Sequence, residues 1–176
     1  MIFTETRLSG AYQIDLELAS DARGFLARTF CTEEFRRHRL DPALVQTTIS
    51  FNHKKATLRG MHYQAAPFQE TKVVRCTRGA IYDVIVDLRR ESKTFRQWIA
   101  IELTAQNHRM IYIPKDFAHG FQTLEDDTEI LYYMSEIFHP ESAAGLRWND
   151  PLLAIHWPLP HPIMSPKDET YPTISE

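Results

Sequence analysis

A period-two alternation of apolar and polar residues, broken at short intervals by turn residues, limits most strongly what this chain can become. Residues 80–88 carry it best. Tyr82, Val84 and Val86 share one side, and Ile81, Asp83, Ile85 and Asp87 share the other. Successive side chains of a strand point to opposite faces, so such a run fits a strand rather than a helix. Residues 44–51, 98–103, 109–113, 120–124 and 129–134 repeat the pattern. Arg78-Gly79, Pro114-Lys115-Asp116 and Glu125-Asp126-Asp127 supply turn chemistry between runs. Antiparallel β structure follows.

Helix is scarce. Thr32 is placed to cap a helix from Glu33 to Leu40, with Glu33 and Glu34 in its first turn. Pro140 to Ala144, closed by Gly145, reads as one short helical turn. Beyond Trp157 the chain carries Pro158, Pro160, Pro162, Pro166 and Pro172, so the tail is expected to be extended and cannot fill a central strand. Many strands and no linker-like stretch predict one all-β domain over residues 1–176, a jelly roll or related barrel with a few short helices.

With 43% hydrophobic and 24% charged residues, the chain has material for a core and no disorder signature. A net charge of -3 argues against a broad basic face for nucleic acid. No apolar run is long enough to span a bilayer, and the first ten residues hold no apolar segment of signal-peptide length. A cytoplasmic protein with neither nucleic-acid nor membrane partners is expected. Cys31 and Cys76 match no metal spacing and are read as free, mostly buried thiols.

Several residues could carry chemistry. Leu58-Arg59-Gly60-Met61-His62-Tyr63-Gln64 crowds Arg59, His62 and Gln64 into one strand, where alternation puts His62 and Gln64 on a common face. Backbone partners could equally satisfy a histidine at a strand end. His119 follows a loop in Phe117-Ala118-His119-Gly120-Phe121. Imidazoles at 62 and 119 could ligate a metal. A catalytic site usually needs a third protein ligand, and Gln64 stands where a second histidine would complete His-x-His. No metal is therefore expected. Tyr132 and Tyr133 must face opposite sides of a strand, one toward a core and one toward a barrel mouth. Asp168, in Ser165-Pro166-Lys167-Asp168, would ordinarily face solvent. Lys72, opening an apolar strand, would ordinarily be an edge charge.

Taken together and in order, these stretches resemble the dTDP-4-dehydrorhamnose 3,5-epimerase family. The resemblance runs from about Asp21 to Asp168. It includes Asp21-Ala22-Arg23-Gly24-Phe25, the Arg59 to Gln64 stretch, Lys72-Val73-Val74-Arg75, Asp83 to Arg89, Ile113-Pro114 with Phe117 to Phe121, Leu131-Tyr132, Arg147-Trp148-Asn149-Asp150-Pro151, Ile155-His156-Trp157-Pro158 and Ser165 to Asp168. It implies a cupin-type jelly roll (a double-stranded β-helix), a homodimer, no cofactor, and a nucleotide-linked 4-keto-6-deoxy sugar as substrate. It also implies roles: His62 as base, Asp168 as its partner, Tyr132 as acid and Lys72 beside the enolate oxygen. Arg59 and His119 would line the pocket. Phe25, Gln46 and Phe138 would contact substrate, and Arg23 would reach the nucleotide of a partner subunit.

The chemistry fits those residue types. A C4 ketone acidifies the hydrogens on C3 and C5, and removing either gives an enolate. A fixed ammonium stabilises charge that develops only in the transition state. Imidazole suits the base, a carboxylate orients it, and a phenol remains protonated at neutral pH. Two stretches depart from the family. The family often reads Gln-Asp-Asn-His-Ser where this chain has Gln46-Thr47-Thr48-Ile49-Ser50, in a segment one residue longer. Ile137-Phe138-His139 replaces a stretch that often carries tyrosine. A single-centre epimerase, a metal-dependent cupin and a non-catalytic sugar-binding barrel are the competing readings.

Overall fold

A computed structural model describes residues 1–174. Its strands are β1 (Ile2–Glu5), β2 (Tyr12–Asp15), β3 (Ala19–Asp21), β4 (Gly24–Leu26), β5 (Gln46–Asn52), β6 (Leu58–Gln64), β7 (Lys72–Arg78), β8 (Ala80–Asp87), β9 (Trp98–Thr104), β10 (Met110–Ile113), β11 (Phe117–Thr123), β12 (Thr128–Met134) and β13 (Ala143–Gly145). Two short helices, α1 (Thr32–Arg37) and α2 (Pro166–Thr170), complete it. One sheet has the order β1-β2-β10-β7-β12-β5 and the other β13-β6-β11-β8-β9, with antiparallel pairing throughout. β3 and β4 form a separate hairpin. The fold is a cupin-type jelly roll.

β8 shows how the alternation works. Ile81 and Ile85 join Val74, Leu103, Ile111, Phe121 and Ile130 in the core between the sheets. Val84 and Val86, with Tyr82 against them, point the other way. There Leu146, Leu153, Ile155 and Trp157 cover them. The strand is therefore buried on both faces. Each fully buried Ile or Phe of this core contributes roughly 1.5–3 kcal/mol relative to exposure. The outer face of the six-stranded sheet is closed by Phe35 of α1, packed on Ile14, Val73, Met110 and Tyr112.

Several expectations need correction. The helix after Cys31 ends at Arg37, not Leu40. Arg39 takes a left-handed conformation (φ 61°), and the Leu40 amide turns back to the Phe35 carbonyl. That geometry closes the helix and drops Leu40 into the core. Thr32 is inside the helix and does not cap it; Cys31 holds the cap position without a side-chain bond. Only Pro140–Ser142 forms a helical turn, of 3-10 type, and Gly145 lies in β13 rather than closing a helix. The proline-rich tail contains α2, with Pro166 in its first turn and the Ser165 side chain accepting from the Asp168 amide. Both cysteines are free; Cys76 is buried and Cys31 partly so. Among the described residues no helix is long and apolar enough to cross a membrane.

Candidate active site

The two sheets part at one end around a cavity of about 490 Å³. The six-stranded sheet contributes Gln46, Thr48 and Ser50 of β5, Lys72 of β7, and Tyr132 and Met134 of β12. The five-stranded sheet contributes Arg59, His62 and Gln64 of β6 and His119 and Phe121 of β11. The tail adds Lys167, Asp168 and Tyr171.

Strict alternation would put Arg59 and His62 on opposite faces. Both reach the cavity because β6 and β11 change register between His119 and Phe121. At this bulge Gly60 lies against Gly120. A Cβ on Gly60 would sit 2.5 Å from the Gly120 Cα, and Gly60 has φ +138°. Only glycine permits that approach and that backbone.

Two imidazole–carboxylate pairs stand on neighbouring strands, with His62 and His119 directly in register. His62 Nε2 lies 2.7 Å from Asp168 Oδ1. The histidine side chain is 41% exposed, while the carboxylate is only 7% exposed. Burial alone would raise the Asp168 carboxyl pKa. The bond to His62 and its nearby charge, with help from the Gly60 backbone and Ser165, outweigh it and hold the pKa below the ordinary value. His119 Nε2 lies 2.7 Å from Asp83 Oδ2, and both side chains are almost wholly enclosed. The Tyr132 ring meets His119 edge-on at 5.9 Å. Burial, and then the Asp83 charge, push the Tyr132 phenol far above its ordinary pKa, with Arg59 pulling weakly the other way. The phenol is thereby kept protonated. Tyr133, on the opposite side of β12, packs outside near Phe30, as alternation requires.

Other cavity groups are held by local bonds. The Lys72 ammonium lies 3.0 Å from the Glu70 carboxylate, and both are largely enclosed. β7 is a central strand, so Lys72 is not an edge charge. Arg59 Nε donates to Asn52 Oδ1 at 2.7 Å. Gln64 is a strut: its amide nitrogen donates to the Phe68 and Ile137 carbonyls, and its oxygen accepts from the His139 amide. Gln46 accepts from the Phe138 amide, which sets Phe138 at the rim.

A family model described as dTDP-4-dehydrorhamnose 3,5-epimerase matches residues 5–176. The enzyme of that name from Sinorhizobium fredii is 40% identical over 157 residues, covering 89% of this chain and 80% of the relative. The chain belongs to the dTDP-4-dehydrorhamnose 3,5-epimerase family. The crystal structure of the Bacillus anthracis dTDP-4-dehydrorhamnose 3,5-epimerase, with TDP and PPi bound, superposes with TM-score 0.95 at 39% identity, covering 98% of this chain and 99% of that one. The Legionella pneumophila dTDP-6-deoxy-D-glucose-3,5-epimerase, in complex with dTDP-4-keto-L-rhamnose, gives TM-score 0.92 at 34% identity, with 98% and 92% covered.

In this member of the epimerase family, eight of the ten residues to which the resemblance gave a role meet at one cavity: His62, Asp168, Tyr132, Lys72, Arg59, His119, Gln46 and Phe138. Arg23 and Phe25 do not. They stand on the β3–β4 hairpin, away from this chain's own cavity. Arg23 is 89% exposed and paired with Asp21, and Phe25 is half exposed beside His108. Sequence reasoning missed Asp83, Glu70 and Tyr171. Asp83 left a signal: a carboxylate midway along the interior face of β8, between Ile81 and Ile85, needs a partner. Among the described residues no group of three or more His, Cys, Asp or Glu is arranged to hold a metal ion.

Proposed function

We propose that this chain epimerises dTDP-4-keto-6-deoxyglucose at C3 and C5, giving dTDP-4-keto-L-rhamnose. The observation that carries the reading is His62 on the five-stranded sheet, paired with Asp168 of the tail and facing a cavity whose other wall holds the protonated Tyr132. Inversion needs a base on one face of the sugar and an acid on the other, and the two sheets provide separate walls for them.

The imidazole nitrogen bonded to Asp168 holds a proton, which leaves the second nitrogen free to accept one. Deprotonation beside the ketone moves charge onto the C4 oxygen. Lys72 offers the fixed cation for that oxygen, and its bond to Glu70 keeps the ammonium from swinging. Tyr132 then delivers a proton from the far side. Asp83 locks the His119 ring of the five-stranded sheet, and the edge-on contact of that ring helps hold the Tyr132 ring in place. No redox step is required, because the ketone is unchanged at the end. The nucleotide-sugar substrate is supported by relatives whose structures hold TDP or dTDP-4-keto-L-rhamnose.

The same reading includes a homodimer. Arg23 and Phe25 project on a hairpin away from their own cavity, and β5 is an edge strand that exposes Ile49 and Phe51. Edge strands of this kind are usually covered. A second copy would cover β5 and bring its Arg23 to the nucleotide. The test of function is proton NMR of dTDP-4-keto-6-deoxyglucose after incubation with the protein. Ring couplings should change from the gluco to the rhamno pattern; unchanged couplings at micromolar enzyme would reject the reading.

A further inference from the structure

Asp168 does not belong to either sheet. It rides on a strap, residues 158–174, whose Ser165, Lys167, Asp168 and Tyr171 line the cavity. Upstream the strap is tied to the barrel by backbone bonds of Ile163 with Ala56 and Leu58, and by the Gln122 side chain on Leu159. α2 itself is little more than one turn, and a helix that short is marginal unless docked. The downstream tie lies in the loop after β13. Arg147 binds two successive strap carbonyls: its Nε donates to Tyr171 at 3.0 Å and its backbone amide to Pro172 at 2.9 Å. Asp150, almost fully buried, accepts from the Leu152 and Leu153 amides on one oxygen and from the Ile174 amide on the other. Between them the Tyr171 ring lies directly on Gly145. A Cβ at that glycine would meet the ring at 2.6 Å. The same ring meets His62 edge-on at 5.7 Å.

None of Gly145, Arg147 and Asp150 lines the cavity. Each acts on the strap within a few residues of Asp168. We propose that these three residues form a clamp that positions the Asp168 carboxylate on His62, so that the loop after β13 sets how well the base is oriented. They are positioning residues for the epimerisation proposed above, and the inference rests on that reading. Misplacing a reacting group by about 1 Å costs on the order of 100-fold in rate. A slackened clamp should cost about 10- to 100-fold.

The test uses Arg147→Met and Gly145→Ala, each alone and combined with Asp168→Asn. Gly145 has no left-handed backbone, so alanine there acts chiefly by pushing on Tyr171. Each single variant should lower kcat about 10- to 100-fold, and each should add less than about 2-fold once Asp168 is asparagine. Purely structural damage would lower kcat by the same factor in both backgrounds, and that result, or unchanged kcat in the single variants, overturns the clamp. If Arg147→Met does not fold, Gly145→Ala carries the comparison. Should the parent protein show no epimerisation at all, the function fails and the clamp is still readable by NMR. The His62 imidazole signals of the Gly145→Ala protein should move toward those of Asp168→Asn; signals identical to the parent's reject the clamp.

Discussion

Replacing Tyr132 by phenylalanine separates the two halves of the proposed reaction. The Tyr132 hydroxyl has no hydrogen-bond partner among the described residues, while the ring packs beside the central core and against the edge of His119. Phenylalanine keeps the ring and orphans no partner, so the fold should lose less than about 1 kcal/mol. The reaction should lose far more. Removing one general acid costs about 100-fold or more, which is about 2.7 kcal/mol of barrel-specific transition-state stabilisation. That loss should fall on inversion alone. His62 can still take a proton from the sugar and return it to the face it came from. Incubation in heavy water, followed by NMR, reads both events: exchange from deuterium at C3 or C5, inversion from the couplings. Exchange should persist near the parent rate while inversion drops about 100-fold. Near-normal inversion would make Tyr132 an ordinary packing residue. Equal loss of exchange and inversion would place it before the enolate and refute the assignment.

Other perturbations reach different parts of the account. Dialysis against EDTA should leave activity intact, because His62 and His119 already commit Nε2 to Asp168 and Asp83; activity lost and then restored by one particular metal would contradict this. Light scattering at micromolar concentration should give twice the 20.5 kDa chain mass, and a monomer would remove the role given to Arg23. Asp87 tests the scaffold through pH. Burial alone would raise its carboxyl pKa, but bonds from Arg89, Ser92 and Thr94 hold it at about 2. A lowered carboxyl contributes stability above the unfolded value of 3.8 and loses it as pH falls through about 2, here roughly 2 kcal/mol. Asp87→Asn should therefore flatten the acid limb of a denaturation series between about pH 4 and 2. An unchanged limb would show that the carboxylate contributes nothing there.

Legibility in the sequence followed the range of the forces involved. The two faces of β8 could be read residue by residue, because alternation is local and both faces found covers. Tyr132 and Tyr133 divided as alternation demands. The joint approach of Arg59 and His62 was not legible, since it depends on a bulge where two glycines from distant strands meet. The helix after Cys31 was overextended because a left-handed residue at Arg39, set by tertiary packing of Leu40, ends it early. Asp168 looked exposed in a proline-rich tail; its burial comes from a strap tied down by Arg147 and Asp150, both well before it in the chain and outside the cavity lining. His119 was picked out, but its partner Asp83 was not, because their pairing crosses from β11 to β8.

The central claim is that His62, oriented by Asp168, removes the hydrogens beside the C4 ketone. Parallel NMR time courses of dTDP-4-keto-6-deoxyglucose in heavy water, with the parent protein and with His62→Ala, test it most directly. The account predicts deuterium at both C3 and C5 with the parent, and none above the enzyme-free rate with His62→Ala at undiminished thermal stability. Deuterium uptake by a folded His62→Ala protein at the parent rate would contradict it.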